Sequence, residues 1–182
     1  TSQAYQRQVQ GTSSKADPEN LSLARQSRRR LSAEELRDAM LCVTGSLDDA
    51  QGVPSVPGIN SKRRTLYVTT IRSDRSSYQM LFDGADPNTI VENRNDSTVA
   101  PQALWLINHP FALDQAKALS TRMFREAGKT ARERIVWLYD ELFHRRPAPQ
   151  EMQVLEQAVS ASLDWEQVCH ALLCSNEFAY VD

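Results

Sequence analysis

Past residue 97, signals that start and stop helices recur at short intervals, a spacing that admits short packed helices and little else. Thr98 is placed to cap a helix through Ala103, Leu104 and Ile107, ended by Asn108-His109-Pro110. Pro110 suits the first turn of the next helix, with Leu113, Ala116, Ser120, Met123 and Ala127 along one stripe and Gly128 past its end. Thr130-Ala131-Arg132-Glu133 is a capping box, whose hydroxyl and carboxylate each accept an otherwise unpaired backbone N–H; Ile135, Leu138, Tyr139 and Leu142 follow at helical spacing. Pro147 stops that helix. Pro149 begins another, with Met152, Leu155 and Val159 inward, and Asp164 caps a last one through Val168, Ala171 and Leu172. The expectation is a bundle of about five short helices, burying Leu104, Ile107, Met123, Ile135, Leu138, Leu142, Leu155 and Leu172.

Ahead of residue 97 the pattern loosens. Residues 1–27 are rich in Gln, Ser and Asn and read as an arm that packs on something else. Ser32-Ala33-Glu34-Glu35 is a second capping box, opening a helix through Leu36, Ala39, Met40 and Val43 that Gly45 is placed to end. Residues 45–62 carry Gly45, Gly52, Pro54, Pro57 and Gly58 without an apolar period, which marks a long loop. Arg64 to Arg72 is the one strand candidate, and a lone strand requires a partner for its backbone. Ser77 to Phe82 suits one helical turn, and Asp83 to Asn88 a tight turn. The fold expected is mainly α, an irregular helical bundle with a long loop region and at most one small strand pairing, around Arg64–Ile71. It divides as 1–44 (arm and first helix), 45–96 (loop-rich) and 97–182 (bundle), all parts of one helical domain.

Composition removes several classes of function. The 182 residues carry 21 basic and 23 acidic side chains, a net charge of −2 that argues against a general nucleic-acid binder. The longest apolar runs are too short to span a bilayer, and no leader pattern opens the chain. The three cysteines, Cys42, Cys169 and Cys174, cannot make a disulfide framework. Covalent haem attachment at Cys169-His170 would need a cysteine where Glu166 stands. His109, His144 and His170 have no second ligand at helical spacing, so neither a metal nor another cofactor is expected.

Candidate chemistry is correspondingly sparse. Asp83, Asp86, Asn88 and Glu92 could offer oxygen ligands but lack the alternating spacing of a calcium loop; the plainer reading is turn formers and caps, with Arg94 pairing one of them. As acid and base for glycoside hydrolysis, Asp83 with Glu92 is one pairing and Asp140 with Glu141 another, the latter better read as a solvated helix face. No nucleophile elbow occurs, and Cys174 in Ala171-Leu172-Leu173-Cys174 reads as inert core. Arg28, Arg29 and Arg30 either bind an anion or pair with nearby carboxylates; residues 1–64 hold 10 basic and 7 acidic side chains, which fits both.

Four separated strings carry a resemblance. Arg28 to Ala39 resembles an R-R-L-x-A-E-x-x-R-D signature; Phe82-Asp83 to Asp86-Pro87-Asn88, then Ser97 to Leu104 with Asn108, resembles a central block. Leu142 to Pro149 with Glu151, and Ser175 to Asp182, are similar to the last two blocks. The family is the planctomycete-specific domain of unknown function at the C-terminus of large exported proteins, which often carry a cytochrome c-like module. Val91 stands where many relatives have Cys, and Thr1 to Tyr5 resembles an interior string of the domain. The resemblance therefore implies an exported, periplasmic or cell-envelope protein, the upstream part of the same domain as a partner, and contact with a cytochrome c-like module. It transfers no catalytic residues.

Two classes of function follow. The first is a non-catalytic helical module that scaffolds a multidomain protein or binds a partner or an anionic glycan through Arg28, Arg29 and Arg30. The alternative is part of an enzyme acting on extracellular polysaccharide, with Asp83, Asp86 or Glu92 as acid or base and Arg94 orienting substrate.

Overall fold

A computed structural model describes residues 17–52, 54–73, 78–90, 92, 94 and 97–181. It is mainly helical with one small antiparallel pair, as the sequence implied. In chain order the elements are β1 (Arg29–Arg30), α1 (Ala33–Val43), a 3₁₀ turn (Thr65–Tyr67), α2 (Tyr78–Leu81), α3 (Ala100–Asn108), α4 (Pro110–Glu126), α5 (Ala131–Phe143), α6 (Pro149–Ser160), α7 (Trp165–Leu173), α8 (Asn176–Ala179) and β2 (Tyr180–Val181).

The bundle forms where the punctuation places it. Thr130 and Glu133 make the reciprocal cap of α5, Pro110 and Pro149 occupy first turns, and the Asp164 side chain caps α7. Both bonds of the Ser32–Glu35 box are present on α1: Glu35 N–H donates to Ser32 Oγ at 3.3 Å, and Ser32 N–H to the Glu35 carboxylate at 2.8 Å. At its other end Gly45 takes φ +67°, with Ser46 N–H donating to Leu41 C=O and Gly45 N–H to Cys42 C=O. A side chain at Gly45 would be strained in that conformation. The core is continuous from α1 through α4, α5 and α7, around Leu36, Met40, Leu119, Met123, Ile135, Leu138, Val168 and Leu173, and α4 against α7 is its most extensive helix pair.

Three expectations are corrected. The strand pair is not at Arg64–Ile71: Arg29 pairs with Val181 and Arg30 with Tyr180, joining the segment before α1 to the segment after α8. Residues 65–67 instead make a 3₁₀ turn, and only Val68 is bridged, in parallel, to Val56. Leu104 and Ile107 are not core; they are 58% and 52% exposed, and Leu113 is 45% exposed. The inward stripe of α3 runs through Gln102, Trp105 and Leu106 to His109, an equally helical spacing that polar Gln102 conceals from any hydropathy count. Leu155 is half-buried against the core, while Met123, Ile135, Leu138, Leu142 and Leu172 are buried. Finally, the residue that caps α3 is Val99 and not Thr98, with Gln102 Oε1 accepting the Val99 N–H at 3.2 Å.

Candidate functional site

Arg37 organises the loop-rich segment. It lies on α1, is 1% exposed, and its guanidinium reaches out of the helix to main-chain carbonyls that have no helix or sheet of their own. Nε–H donates to Ile59 C=O at 2.9 Å, and Nη1 donates to Arg63 C=O at 2.8 Å and Thr65 Oγ1 at 3.0 Å. Nη2 donates to Ser61 C=O, and Asp38 supplies the counter-charge at 3.3 Å. Asp38 also accepts the Thr65 N–H at 2.8 Å and its hydroxyl at 2.6 Å. Burial lowers the Arg37 pKa and the Asp38 charge opposes that, so the cation is held by its partners.

Beside this hub lies a cleft of about 480 Å³, a size typical of a ligand pocket. Arg37 and Ile59 line one side, Val68 to Ile71 a second, and Tyr78, Gln79, Trp105 and His109 a third. Trp105 stacks on His109 with ring centroids 4.3 Å apart and meets Tyr78 at 4.8 Å and Phe82 at 5.5 Å. Tyr78 donates its hydroxyl to Ala33 C=O at 2.9 Å, and burial raises its pKa well above the ordinary phenol range. His109 Nδ1 accepts the Phe111 N–H at 3.2 Å and so caps α4. Burial lowers its pKa, which together with the cap keeps the imidazole neutral with its proton on Nε2. Among the described residues no carboxylate lines this cleft.

The residues singled out from the sequence do not converge on it. Asp83, in a left-handed conformation at φ +58°, accepts both the N–H and the hydroxyl of Ser97 at 2.8 Å. Beside it a side chain at Gly84 would put a Cβ 2.7 Å from the Gln79 carbonyl oxygen, so only glycine fits this turn. Asp86 accepts the Asn88 N–H at 2.8 Å. Arg94 pairs with Glu34 at 2.8 Å and not with Asp83, Asp86 or Glu92; Glu92 is exposed. Asp140 is exposed on α5, whereas Glu141 pairs with Arg122 at 2.5 Å. Of the arginine run, Arg28 lies over the Tyr180 ring at 4.7 Å. Arg29 forks onto Glu35 at 2.7 and 3.0 Å, and the Arg29 hydrogen bonds hold that carboxyl down at about 2. Arg30 donates to Gln102 Oε1 at 2.9 Å and to Ser97 C=O.

Read together, these bonds join the four strings that carried the resemblance. Arg30 of the first holds Ser97 and Gln102 of the second, and Asp83 secures Ser97 from the other side. Arg145 of the third forks onto its own Glu151 at 2.7 and 2.8 Å and onto Glu177 of the fourth at 2.6 and 2.7 Å. The Glu151 bonds first and the Glu177 bonds second raise the Arg145 pKa. Asn176 and Glu177 begin α8, with Ser175 as its cap. Cys169 is buried, and burial pushes its thiol up to about 12 and that of Cys174 up to about 11, as befits unreactive thiols. Among the described residues no three His, Cys, Asp or Glu side chains converge as a metal site would require, and no helix is long and apolar enough to cross a membrane.

The sequence did not mark Arg37, Tyr78, Trp105 or His109 as one site. Arg37-Asp38 closes the first string, but nothing in spacing announces that its partners are carbonyls of residues 59–63. A family model described as PSD1, protein of unknown function (DUF1553), matches residues 1–159. No curated protein and no solved structure matches the chain.

Proposed function

The chain belongs to the PSD1 family of proteins of unknown function (DUF1553), and from that premise we propose that it is a non-catalytic helical module that positions and binds neighbouring parts of a larger protein. The observation that carries the proposal is the employment of its signature polar groups. Asp83, Glu35, Glu151 and Glu177 each hold a backbone amide, a hydroxyl or an arginine at an element boundary. A glycosidase needs two carboxyl groups facing one cleft about 5–10 Å apart, whereas the aromatic cleft is lined by none among the described residues. The family resemblance supports an exported, planctomycete parent protein in which a cytochrome c-like module and the upstream part of the same domain are the neighbours.

The test is a panel of neutral and sulfated polysaccharides offered to the parent protein, with product detected at reducing ends. No turnover is expected. Turnover that Asp83→Asn abolishes while circular dichroism stays unchanged would establish an enzyme in its place. Salt-sensitive binding without turnover, lost when Arg28, Arg29 and Arg30 become Gln, would make the anionic glycan the bound partner.

A further inference from the structure

Residues 65–71 read Thr-Leu-Tyr-Val-Thr-Thr-Ile, a run of strand formers without a charge or a proline, yet the fold uses it as a strand at one position only. On one edge Val56 N–H donates to Tyr67 C=O and Thr69 N–H to Val56 C=O, both at 2.9 Å. In extended chain successive residues turn their N–H and C=O to opposite edges. Tyr67 and Thr69 therefore face Val56, and Val68 and Thr70 face away from it. Val68 N–H closes the 3₁₀ turn onto Thr65 at 3.0 Å. The Val68 C=O and the Thr70 N–H and C=O have no partner among the described residues. Unpaired edges of this kind are what proteins ordinarily blunt with charge, proline or a covering element.

This edge is also a wall of the cleft. Val68, Thr69, Thr70 and Ile71 line it consecutively, and Thr69, Thr70 and Ile71 are exposed. Among the described lining residues the one formal charge is Arg37, which is already matched by Asp38 and by main-chain carbonyls, so that lining offers no unmatched charge to a ligand. A sugar would need a free aromatic face, but Trp105 is covered by His109 and by Tyr78. We propose that the Val68–Ile71 edge takes up an extended, uncharged segment of a partner polypeptide as an added β-strand. Val68 C=O and Thr70 N–H pair with one residue of the incoming chain, as Tyr67 C=O and Thr69 N–H pair with Val56, and the cleft receives an alternate side chain. This rests on the non-catalytic reading above and names the class of partner.

The test uses the full chain and a blocked, uncharged hexapeptide of alternating Thr and Val, followed by amide NMR. Saturable shifts are expected at Val68 to Ile71, at Gln79 and at the Trp105 indole, with slowed exchange of the Thr70 amide. Thr70→Pro removes the proposed donor and, like Thr70→Ala, gives up the exposed Thr70 Oγ1 to Gln79 Oε1 hydrogen bond at 3.1 Å, so the two variants differ at the backbone N–H. The proline should raise Kd at least about tenfold relative to the alanine, the equivalent of one hydrogen bond, at a similar melting temperature. Thr70→Ala keeps the donor and should bind like wild type. Equal binding by Thr70→Pro, shifts with cellotetraose in place of the peptide, or a peptide-independent dimer that Thr70→Pro dissociates would each overturn the proposal. Those failures leave the non-catalytic reading standing; only turnover in the polysaccharide assay removes it.

Discussion

The loop-rich segment and the C-terminal bundle are held together by opposite means. In the bundle, Leu119, Met123, Ile135 and Leu138 are completely buried, and bonds that cross between helices, such as Arg122 to Glu141, lie at the part-exposed margin of that apolar core. In residues 58–65 the apolar contribution is Ile59 alone, and the fixed point is a buried guanidinium bonded to carbonyls at 59, 61 and 63. Irregular chain is thus fixed by donors brought to it from a neighbouring helix. Without helix or sheet, buried carbonyls still require donors, and one arginine with its fork of N–H groups serves several of them at once.

The largest effect should fall in the bundle. Leu138→Ala removes a side chain with no exposure and is expected to cost about 2–5 kcal/mol in denaturant unfolding; a loss near zero would mean that the core has been placed wrongly. Next comes Arg145→Ala, which releases both Glu151 and Glu177. These pairs are about one-third exposed and therefore screened, so about 1 kcal/mol is expected, and fraying should be confined to α8 and β2. Loss of the whole bundle on the same change would erase the distinction between polar clamps and apolar core.

A smaller effect belongs to pH. His109 is held neutral in the fold, its pKa below the ordinary 6.5, while the unfolded chain titrates at the ordinary value. Across that interval the unfolded state binds more protons, so stability is present above pH 6.5 and is lost as pH falls from there through the folded value. Melting at pH 7.5 and 5.5 should therefore show a decrease that His109→Asn, which keeps a capping side chain, reduces. An undiminished decrease would assign the pH dependence elsewhere. The smallest change is Leu104→Gln, expected within about 0.5 kcal/mol because Leu104 faces solvent.

That last site marks where the sequence stops being legible. Caps, prolines and the stripes of α4, α5 and α7 state their own positions, since helix geometry needs only local spacing. On α3 two stripes compete, and hydropathy favours Leu104 and Ile107; the one chosen contains Gln102, whose bonds to Leu81 and Arg30 lie 21 and 72 residues away. The strand candidate failed for a related reason. Strand propensity describes a residue's fit to a pleated surface, and this fold supplies Arg64–Ile71 a single bridge to Val56 and no sheet. The candidate carboxylates were placed correctly in turns, yet no spacing shows that Asp83 holds Ser97. The aromatic cleft was illegible as a unit because its walls come from five separated stretches of chain.

The central claim is that Arg37 fixes the loop-rich segment independently of the apolar core, and amide hydrogen exchange on Arg37→Met tests it most directly. Methionine keeps the stem against the core but removes every donor to Ile59, Ser61, Arg63 and Thr65. The expected result is a selective loss of protection at Asp48, Val56, Tyr67 and Thr69, whose amides close the loop, with the interiors of α4, α5 and α7 exchanging as in wild type. Uniform loss across bundle and loop, or no loss in the loop, would contradict it.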